Sequence, residues 1–211
     1  MGNYSIELNM QNKKAIIVGG GKIAFRKLAS LLQAGADITV ISPSINKEIT
    51  RLEKENKITW LEKYFEAIDL YHAHIVIAAT NDKSVNRFVA FSADPYQLVN
   101  VVDDPLRGNF NVPATLKRGD LTISIATGGT SPVLAKKIRD EISLHYGSEY
   151  SEYIQFLSTA RKEIKKLPIS VVEQHKMLRE ITEREYRQSK ERQRSYLAKV
   201  TNIEKRQLVD H

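Results

Sequence analysis

The 211-residue chain contains no cysteine. Without thiols it forms no disulfide, holds no thiolate zinc or iron–sulfur site and uses no cysteine nucleophile. It also lacks the uninterrupted apolar run of ~18 residues that a membrane-spanning helix needs. Its first residues show no basic segment followed by an apolar segment, which is the pattern of an export signal. We therefore expect a cytoplasmic protein that is not inserted in a membrane.

The charge balance is basic, with a net charge of +7 at pH 7. Most of this excess lies in residues 151–211, which contain fourteen Lys and Arg against nine Asp and Glu. Acidic and basic residues are mixed there, as in Arg179-Glu180, which is typical of a solvated helix face and not of a nucleic-acid arm. We predict no nucleic-acid partner. A polyanionic small molecule would also suit the basic balance.

An apolar segment near the N-terminus ends in three consecutive glycines and continues as a helix-period pattern. The spacing Gly19-x-Gly21-x-x-Ala24 matches a dinucleotide-binding turn. In such a turn the first glycine allows the bend, the second admits the pyrophosphate, and the third small residue lets helix and strand pack closely. The phosphates would bind the free N–H groups of the helix that begins near Lys22. The sequence thus predicts a nucleotide cofactor.

The residue that chooses between NAD and NADP is missing from this pattern. An Asp or Glu about 20 residues past the glycines would bind the ribose hydroxyls of NAD, and a nearby Arg would bind the extra phosphate of NADP. Ser42-Pro43-Ser44 stands there instead. A serine hydroxyl could bind either ribose, or Ser42 and Ser44 could simply cap the following helix. The residues alone leave both cofactors open.

Strand and helix patterns alternate through the first half of the chain, which predicts a Rossmann-type doubly wound parallel sheet. The predicted strands are 13–19, 37–42, 57–62, 73–80 and 97–102, and the predicted helices are 22–34, 44–55 and 82–92. After Pro113, a half-exposed strand at 121–126 and a helix to about Tyr146 predict a small α+β segment. From Tyr150 onward, apolar residues at helical spacing predict an all-helical region of two or three helices. The predicted domains are 1–113, 114–147 and 148–211.

Polar residues follow the fourth and fifth predicted strands, at the sheet edge where a cofactor crevice opens. Thr80-Asn81-Asp82 could border the nicotinamide, or Asp82 could be an ordinary helix cap. Asn100 lies in the last predicted parallel strand, and Asp103 and Asp104 follow directly after it. A carboxylate there is placed for proton transfer beside a hydride acceptor, or it lies in a turn that Asp104 caps. The residues alone do not choose between Asp103 and Asp104.

A second glycine turn, Thr127-Gly128-Gly129-Thr130-Ser131-Pro132, precedes a predicted helix. Two glycines, a capping serine and a proline in the first helical turn would direct several N–H groups and hydroxyls one way, which suits an anion. The alternative is a well-formed helix start without a ligand. Lys136, Lys137 and Arg139 favour a carboxylate or phosphate ligand.

Together these motifs resemble the precorrin-2 dehydrogenase and sirohydrochlorin ferrochelatase module of siroheme synthases. The resemblance covers residues 4–146 and rests on five stretches in the order that the family has them, namely 17–27, 78–86, 100–103, 109–114 and 124–135. It implies NAD rather than NADP and a homodimer whose middle segment exchanges contacts with its partner. It also implies that the C-terminal helices cover the tetrapyrrole site.

By this resemblance the protein oxidises precorrin-2 to sirohydrochlorin with NAD, and Asp103 is the catalytic residue. It leaves open whether the protein also inserts Fe²⁺, as a substrate, into sirohydrochlorin. The predicted cofactor-binding residues are Gly19, Gly20, Gly21, Lys22, Ile23, Ser42, Pro43, Thr80, Asn81 and Asn100. The predicted substrate-binding residues are Thr127, Gly128, Gly129, Thr130 and Ser131.

No metal site is predicted, because the histidines form no ligand cluster along the sequence; they are His72, His74, His145, His175 and His211. An alternative function is an NAD(H)-sensing regulatory domain whose C-terminal helices transmit the redox state. A sensor needs the first glycine turn but has no use for a second polyanion site. The segment Thr127–Ser131 and Asp103 therefore favour an enzyme.

Overall fold

A computed structural model describes residues 3–209, with side chains described up to Ile203. The chain divides into two compact units, the first ending at Val112 and the second beginning at Pro113. Among the described residues, the first unit has two buried apolar clusters and the second unit has one. The finer division into three domains stays a prediction. No helix in the described part of the chain is long and apolar enough to cross a membrane.

The first unit is a five-stranded parallel sheet with the strand order β3-β2-β1-β4-β5. Its strands are β1 (Lys14–Val18), β2 (Asp37–Ile41), β3 (Thr59–Leu61), β4 (Ile75–Ala78) and β5 (Leu98–Val101). Its α-helices are α1 (Lys22–Gln33), α2 (Lys47–Lys54) and α3 (Lys83–Ser92). Short 3₁₀ helices follow β3 and β5, at Ala67–Leu70 and Pro105–Arg107. The predicted Rossmann-type sheet is confirmed.

Helices cover both faces of this sheet, which explains why its central strands are continuous apolar runs. Ile17 of β1 pairs with Val40 of β2 on one side and with Ile77 of β4 on the other. One face packs against Leu28 of α1, and the opposite face packs against Val89 of α3. The strand order reverses between β1 and β4, so a crevice opens at the carboxyl ends of these two strands.

The α2 helix begins later than predicted, at Lys47. Asn46 caps it, because its Oδ1 accepts a hydrogen bond from the Ile49 N–H at 2.9 Å. The interpretation of Ser42 and Ser44 as the caps of this helix is wrong. The two serines lie in the turn that precedes the cap.

The second unit begins with a hairpin of β6 (Ala114–Arg118) and β7 (Leu121–Ile125). Gly119 lies in its two-residue turn at φ +58°, a left-handed conformation that matches the twist of paired strands. The helices that follow in the described chain are α4 (Pro132–His145), α5 (Glu149–Lys166), α6 (Val171–Glu180), α7 (Arg184–Gln188) and α8 (Lys190–Val209). The sequence predicted β7 and α4 but missed β6, in which Leu116 is the buried residue. It also predicted two or three C-terminal helices where the described chain has four, α5–α8.

The C-terminal helices pack around tyrosines as well as aliphatic side chains. Tyr153, Tyr186 and Tyr196 are buried in one cluster. The Tyr153 hydroxyl donates to the Ile181 carbonyl at 2.8 Å, and the Tyr186 hydroxyl donates to Glu180 Oε1 at 2.8 Å. Burial, assisted by the Glu180 hydrogen bond, raises the pKa of Tyr186 to about 12. The phenol therefore stays neutral inside this core.

Candidate functional site

The glycine turn between β1 and α1 fits tightly against its neighbours. Gly19 has φ +121°, and a Cβ added to it would overlap the carbonyl oxygen of Ala79. A Cβ added to Gly20 would overlap the carbonyl oxygen of Ser44 in the same way. Both positions therefore require glycine, because a side chain would push the turn away from the adjacent backbone.

Gly21 differs from its two neighbours, because a Cβ added there would meet nothing within 4 Å. It is the N-cap of α1 and has an ordinary φ of −88°. The N–H groups of Lys22 and Ile23, in the first turn of α1, have no acceptor within the helix and attract an anion. Ala24 is fully buried against the sheet. The open space before Gly21 fits the pyrophosphate of a dinucleotide.

A cleft of about 490 Å³ opens in front of this turn. The predicted cofactor residues in its lining are Gly19, Gly20, Gly21, Ser42, Pro43, Thr80 and Asn81. Lys22, Ile23 and Asn100 lie outside that lining. Asn100 is buried, and its Nδ2 donates to the Phe110 carbonyl at 3.1 Å, which holds the chain that follows β5.

Ser42, at the end of β2, has most of its hydrogen-bonding capacity engaged within the turn. Its Oγ donates to the Ser44 carbonyl at 2.7 Å, and its carbonyl accepts a hydrogen bond from Trp60 Nε1 at 2.9 Å. The residue is only 9% exposed. The hydroxyl keeps acceptor capacity for a ribose but has no second proton to donate.

Lys63 is a cleft residue that sequence reasoning missed. It lies after β3 and lines the same cleft. Its Nζ forms ion pairs with Glu66 Oε2 at 2.5 Å and with Asp69 Oδ1 at 2.9 Å. The hydrogen bond with Glu66, followed by that with Asp69, raises the pKa of Lys63. The three side chains together carry a net negative charge, although a lysine faces the cleft.

The segment after β4 contains a helix cap and residues of the cleft lining, and its contact with the nicotinamide stays a prediction. Asp82 caps α3, since its Oδ1 accepts hydrogen bonds from the Ser84 N–H at 2.7 Å and the Ser84 hydroxyl at 2.6 Å. These hydrogen bonds lower the pKa of Asp82. Thr80 and Asn81 line the cleft.

Asp103 and Asp104 follow β5, whose Val101 pairs with Ala78 at the end of β4. Asp103 is exposed, and its Oδ1 accepts a hydrogen bond from Asn86 Nδ2 at 2.7 Å. Asp104 forms an ion pair with Arg107 Nε at 2.9 Å and makes no capping hydrogen bond with its side chain. Asp104 is the N-cap residue of the 3₁₀ helix Pro105–Arg107, as the sequence allowed, and it caps through its carbonyl, which accepts from the Arg107 N–H at 3.0 Å.

This difference separates the two carboxylates chemically. Arg107 already occupies Oδ2 of Asp104, so this carboxylate is engaged in an ion pair. Among the described residues, Asp103 has no ion-pair partner, and a neutral amide holds one of its oxygens. Asp103 is the better placed of the two to accept a proton.

The second glycine turn, in the second unit, is partly closed by its own hydrogen bonds. Ser131 caps α4 by accepting from the Leu134 N–H at 3.2 Å, and its own N–H donates to Thr127 Oγ1 at 3.1 Å. The Thr130 N–H donates to the Thr127 carbonyl at 3.0 Å. The Thr127 hydroxyl thus has a role in shaping the turn.

Two glycines leave one side of this turn open. Gly128 and Gly129 have φ of +61° and +85°, and a Cβ on either would meet nothing within 4 Å. Their N–H groups have no backbone acceptor among the described residues. Unpaired N–H groups on successive residues form a concave site for an anion. The predicted substrate residues are therefore close in space, but fewer of their N–H groups are available than the sequence suggested.

No group of three or more potential metal ligands of the His, Cys, Asp and Glu types occurs within the described residues. His72 and His74 precede β4, and His145 ends α4. His211 lies outside the described residues.

Three family models match the chain. One, described as putative NAD(P)-binding, matches residues 6–114. A second, described as sirohaem biosynthesis protein central, matches residues 118–143, and a third, described as SirC C-terminal domain, matches residues 150–196.

Curated and solved proteins agree with these models. The precorrin-2 dehydrogenase of Priestia megaterium is 36% identical over 197 residues, which are 93% of this chain and 98% of that protein. The precorrin-2 dehydrogenase of Bacillus subtilis (strain 168) is 39% identical over 137 residues, which are 65% of this chain and 85% of that protein. The solved structure of SirC, precorrin-2 dehydrogenase, is 36% identical, with a TM-score of 0.84 over 95% of this chain and 100% of that chain. The resemblance that the motifs indicated is confirmed.

Proposed function

We propose that this chain, which belongs to the precorrin-2 dehydrogenase family, oxidises precorrin-2 to sirohydrochlorin in siroheme biosynthesis. Its cofactor is NAD, which supplies the hydride acceptor when bound. The observation that carries the proposal is the position of Asp103. It is hydrogen-bonded to Asn86, which also holds Thr80 in the wall of the cofactor cleft.

In this reaction the substrate loses one hydrogen as a hydride and another as a proton. Asp103 accepts the proton, because its carboxylate is exposed and is not neutralised by a cation among the described residues. Gly21 and the first turn of α1 hold the pyrophosphate of the cofactor. Thr80 and Asn81 border the same cleft.

The reaction is tested by incubating the purified protein with precorrin-2 and following the absorbance of the tetrapyrrole. We expect sirohydrochlorin to form when NAD⁺ is added and not when it is omitted. Conversion of precorrin-2 at the same rate without NAD⁺ would rule out the proposed dehydrogenation.

The cofactor cleft predicts a preference for NAD⁺ over NADP⁺. Glu66 and Asp69 neutralise Lys63 and leave a net negative charge, which repels a 2′-phosphate. We expect kcat/KM with NAD⁺ to exceed that with NADP⁺ by about tenfold or more. Steady-state kinetics with both cofactors measures the ratio.

Glu66→Gln is the matched variant for this prediction, because it removes one negative charge and keeps the side chain's size. We expect this variant to reduce the preference for NAD⁺, because kcat/KM with NADP⁺ should rise more than kcat/KM with NAD⁺. Equal kcat/KM for the two cofactors in the wild-type protein would contradict the assignment.

The glycine turn Thr127–Ser131 binds substrate carboxylates in this proposal, because Gly128 and Gly129 present backbone N–H groups on an open side. Replacing Thr130 and Ser131 together by Glu places negative charge beside those groups. We expect the variant to bind sirohydrochlorin about tenfold or more weakly, through like-charge repulsion. Titration followed by tetrapyrrole fluorescence measures the affinity.

Thr130→Gln with Ser131→Gln is the control, since it removes the same hydroxyls and the same cap without adding charge. We expect the Gln pair to bind sirohydrochlorin more tightly than the Glu pair, with a gap that shrinks at high salt. If the Glu pair and the Gln pair bound sirohydrochlorin with equal affinity, charge at this turn would have no effect on binding of the tetrapyrrole.

We expect the protein to be a dehydrogenase without chelatase activity, because the two relatives described above carry dehydrogenase names alone. The test supplies sirohydrochlorin and Fe²⁺ without NAD⁺ and follows siroheme formation. The rate should equal the rate without protein. Acceleration by the wild-type protein would add iron insertion, with Fe²⁺ as substrate, to its function.

A homodimer formed through the middle segment is part of the proposal. In α4, Ala135 is buried, whereas Val133 and Leu144 are 78% and 84% exposed. Exposed apolar side chains on one helix support a contact with a second copy.

The use of NAD⁺ in a biosynthetic reaction supports a cytoplasmic location for the protein.

A further inference from the structure

Asn86, in the second turn of α3, is completely buried, with 0% of its surface exposed. Its side chain makes four hydrogen bonds. Oδ1 accepts from the Thr80 N–H at 3.0 Å and from the Thr80 hydroxyl at 2.8 Å. Nδ2 donates to the Thr80 carbonyl at 3.2 Å and to Asp103 Oδ1 at 2.7 Å. The Thr80 hydroxyl also lies 2.9 Å from the Asp82 carbonyl, so its single proton is shared between two acceptors.

The chemistry of these partners fixes the orientation of the amide. The Thr80 N–H can only donate, so it must face Oδ1 of Asn86. The Thr80 carbonyl can only accept, so it must face Nδ2. A flipped amide would place two acceptors against each other on one side and two donors on the other. Asn86 therefore always presents an N–H group to Asp103.

The two ends of the network belong to different strands. Thr80 follows β4 and lines the cofactor cleft, whereas Asp103 follows β5. Asn86 joins them through one buried side chain. A buried amide with every partner satisfied is rigid, so the Asp103 carboxylate is held at a fixed position relative to the cleft wall.

This contact also distinguishes the two oxygens of Asp103. Oδ1 is occupied by the Asn86 amide. Oδ2 has no donor among the described residues. Oδ2 is therefore the oxygen that is open to a proton from the substrate, because Oδ1 already accepts the Asn86 amide.

From this geometry we infer that Asn86 is a positioning residue of the dehydrogenation, which directs the Asp103 carboxylate and leaves Oδ2 to take the proton. The inference rests on the proposed role of Asp103. It adds a residue that is completely buried, so that it touches neither substrate nor cofactor, and whose effect on proton transfer passes through Asp103. The effect of Asn86 on the rate therefore depends on the presence of the carboxylate.

A double-mutant cycle with Asp103 tests this dependence. We expect Asn86→Ala to lower kcat by about 10- to 100-fold, the cost of a misplaced catalytic group. The Kd for NAD⁺ should stay within about threefold of the wild-type value, since the glycine turn is intact. In the Asp103→Ala background, Asn86→Ala should change the residual kcat by less than about twofold.

Two further variants keep the test interpretable. Asn86→Asp retains the acceptor for Thr80 but loses the N–H that faces Asp103, and it should lower kcat by about 10-fold or more. This variant carries the test if Asn86→Ala does not fold. Ser84→Ala removes a hydroxyl that contacts the cap of α3 without touching Asp103. It should keep kcat within about twofold of the wild-type value, because an exposed cap contributes to stability and not to catalysis.

An equal loss of kcat from Asn86→Ala with and without Asp103 would overturn the inference, and so would a loss explained wholly by weaker NAD⁺ binding. Those results would leave the role of Asp103 standing. Full activity of Asp103→Ala alone would instead refute the proton-acceptor role, and the inference with it.

Discussion

We expect the replacement of Gly21 by Asp to abolish NAD⁺ binding and to leave the protein folded. A side chain at this position meets nothing within 4 Å and the backbone has φ −88°, so the fold tolerates it. The added carboxylate occupies the space of the pyrophosphate and repels its charge at the start of α1. Isothermal titration calorimetry should detect no binding, while the thermal midpoint stays close to the wild-type value.

Gly21→Ala is the matched control, because it adds a Cβ without charge. We expect it to bind NAD⁺ more weakly than the wild-type protein but measurably. Gly20→Ala should instead destabilise the fold, because its Cβ would overlap the Ser44 carbonyl oxygen. We expect this variant to have a lower thermal midpoint than the wild-type protein. Micromolar NAD⁺ binding by a folded Gly21→Asp variant would show that the cofactor does not use this turn.

We expect the replacement of Asp103 by Ala to lower the rate of precorrin-2 oxidation by roughly 10²–10⁴-fold, the usual contribution of a positioned general base. The side chain is exposed and its loss leaves only the Asn86 N–H without a partner, so the protein should fold and bind NAD⁺. Initial rates of sirohydrochlorin formation give the factor. Calorimetry with NAD⁺ checks that the cofactor site is intact.

Asp104→Ala is the control for this variant. It removes the neighbouring carboxylate and an exposed ion pair with Arg107, which contributes little to stability. We expect its rate to stay within about tenfold of the wild-type rate. A severe loss in Asp104→Ala together with a mild loss in Asp103→Ala would reverse the assignment of the two carboxylates.

The glycine turn could be predicted from sequence because its requirements are local. Gly19, Gly20 and Gly21 are consecutive in the chain, and the alternation of strands and helices around them specifies a parallel sheet. The order of the strands then brings the end of β4, with Thr80, to the same crevice. Topology rules were sufficient for these residues.

Lys63 and Asn86 could not be predicted in this way. Lys63 enters the cleft because β3 ends beside β2, and its ion pairs with Glu66 and Asp69 depend on the fold of a short 3₁₀ helix. Asn86 is seventeen residues from Asp103 in sequence, and nothing local indicates that its amide faces a carboxylate. Both contacts depend on side-chain positions that periodicity does not specify.

The second unit was harder to predict for a different reason. Its hairpin contains β6, whose residues are mostly polar or exposed, so no apolar alternation marks the strand. Its helical core contains Tyr153, Tyr186 and Tyr196. Tyrosine is a residue type that is also common on solvated helix faces, so its presence does not indicate a core. The order of elements could be predicted there, but the buried side chains could not.

The most direct test of the proposed function is the stoichiometry of a single reaction. Purified wild-type protein is mixed with precorrin-2 and excess NAD⁺ without oxygen, and NADH and sirohydrochlorin are measured in the same sample over time. The assignment predicts that the two products appear together in equal amounts, and that neither forms at that rate with Asp103→Ala. Formation of sirohydrochlorin without NADH would contradict it.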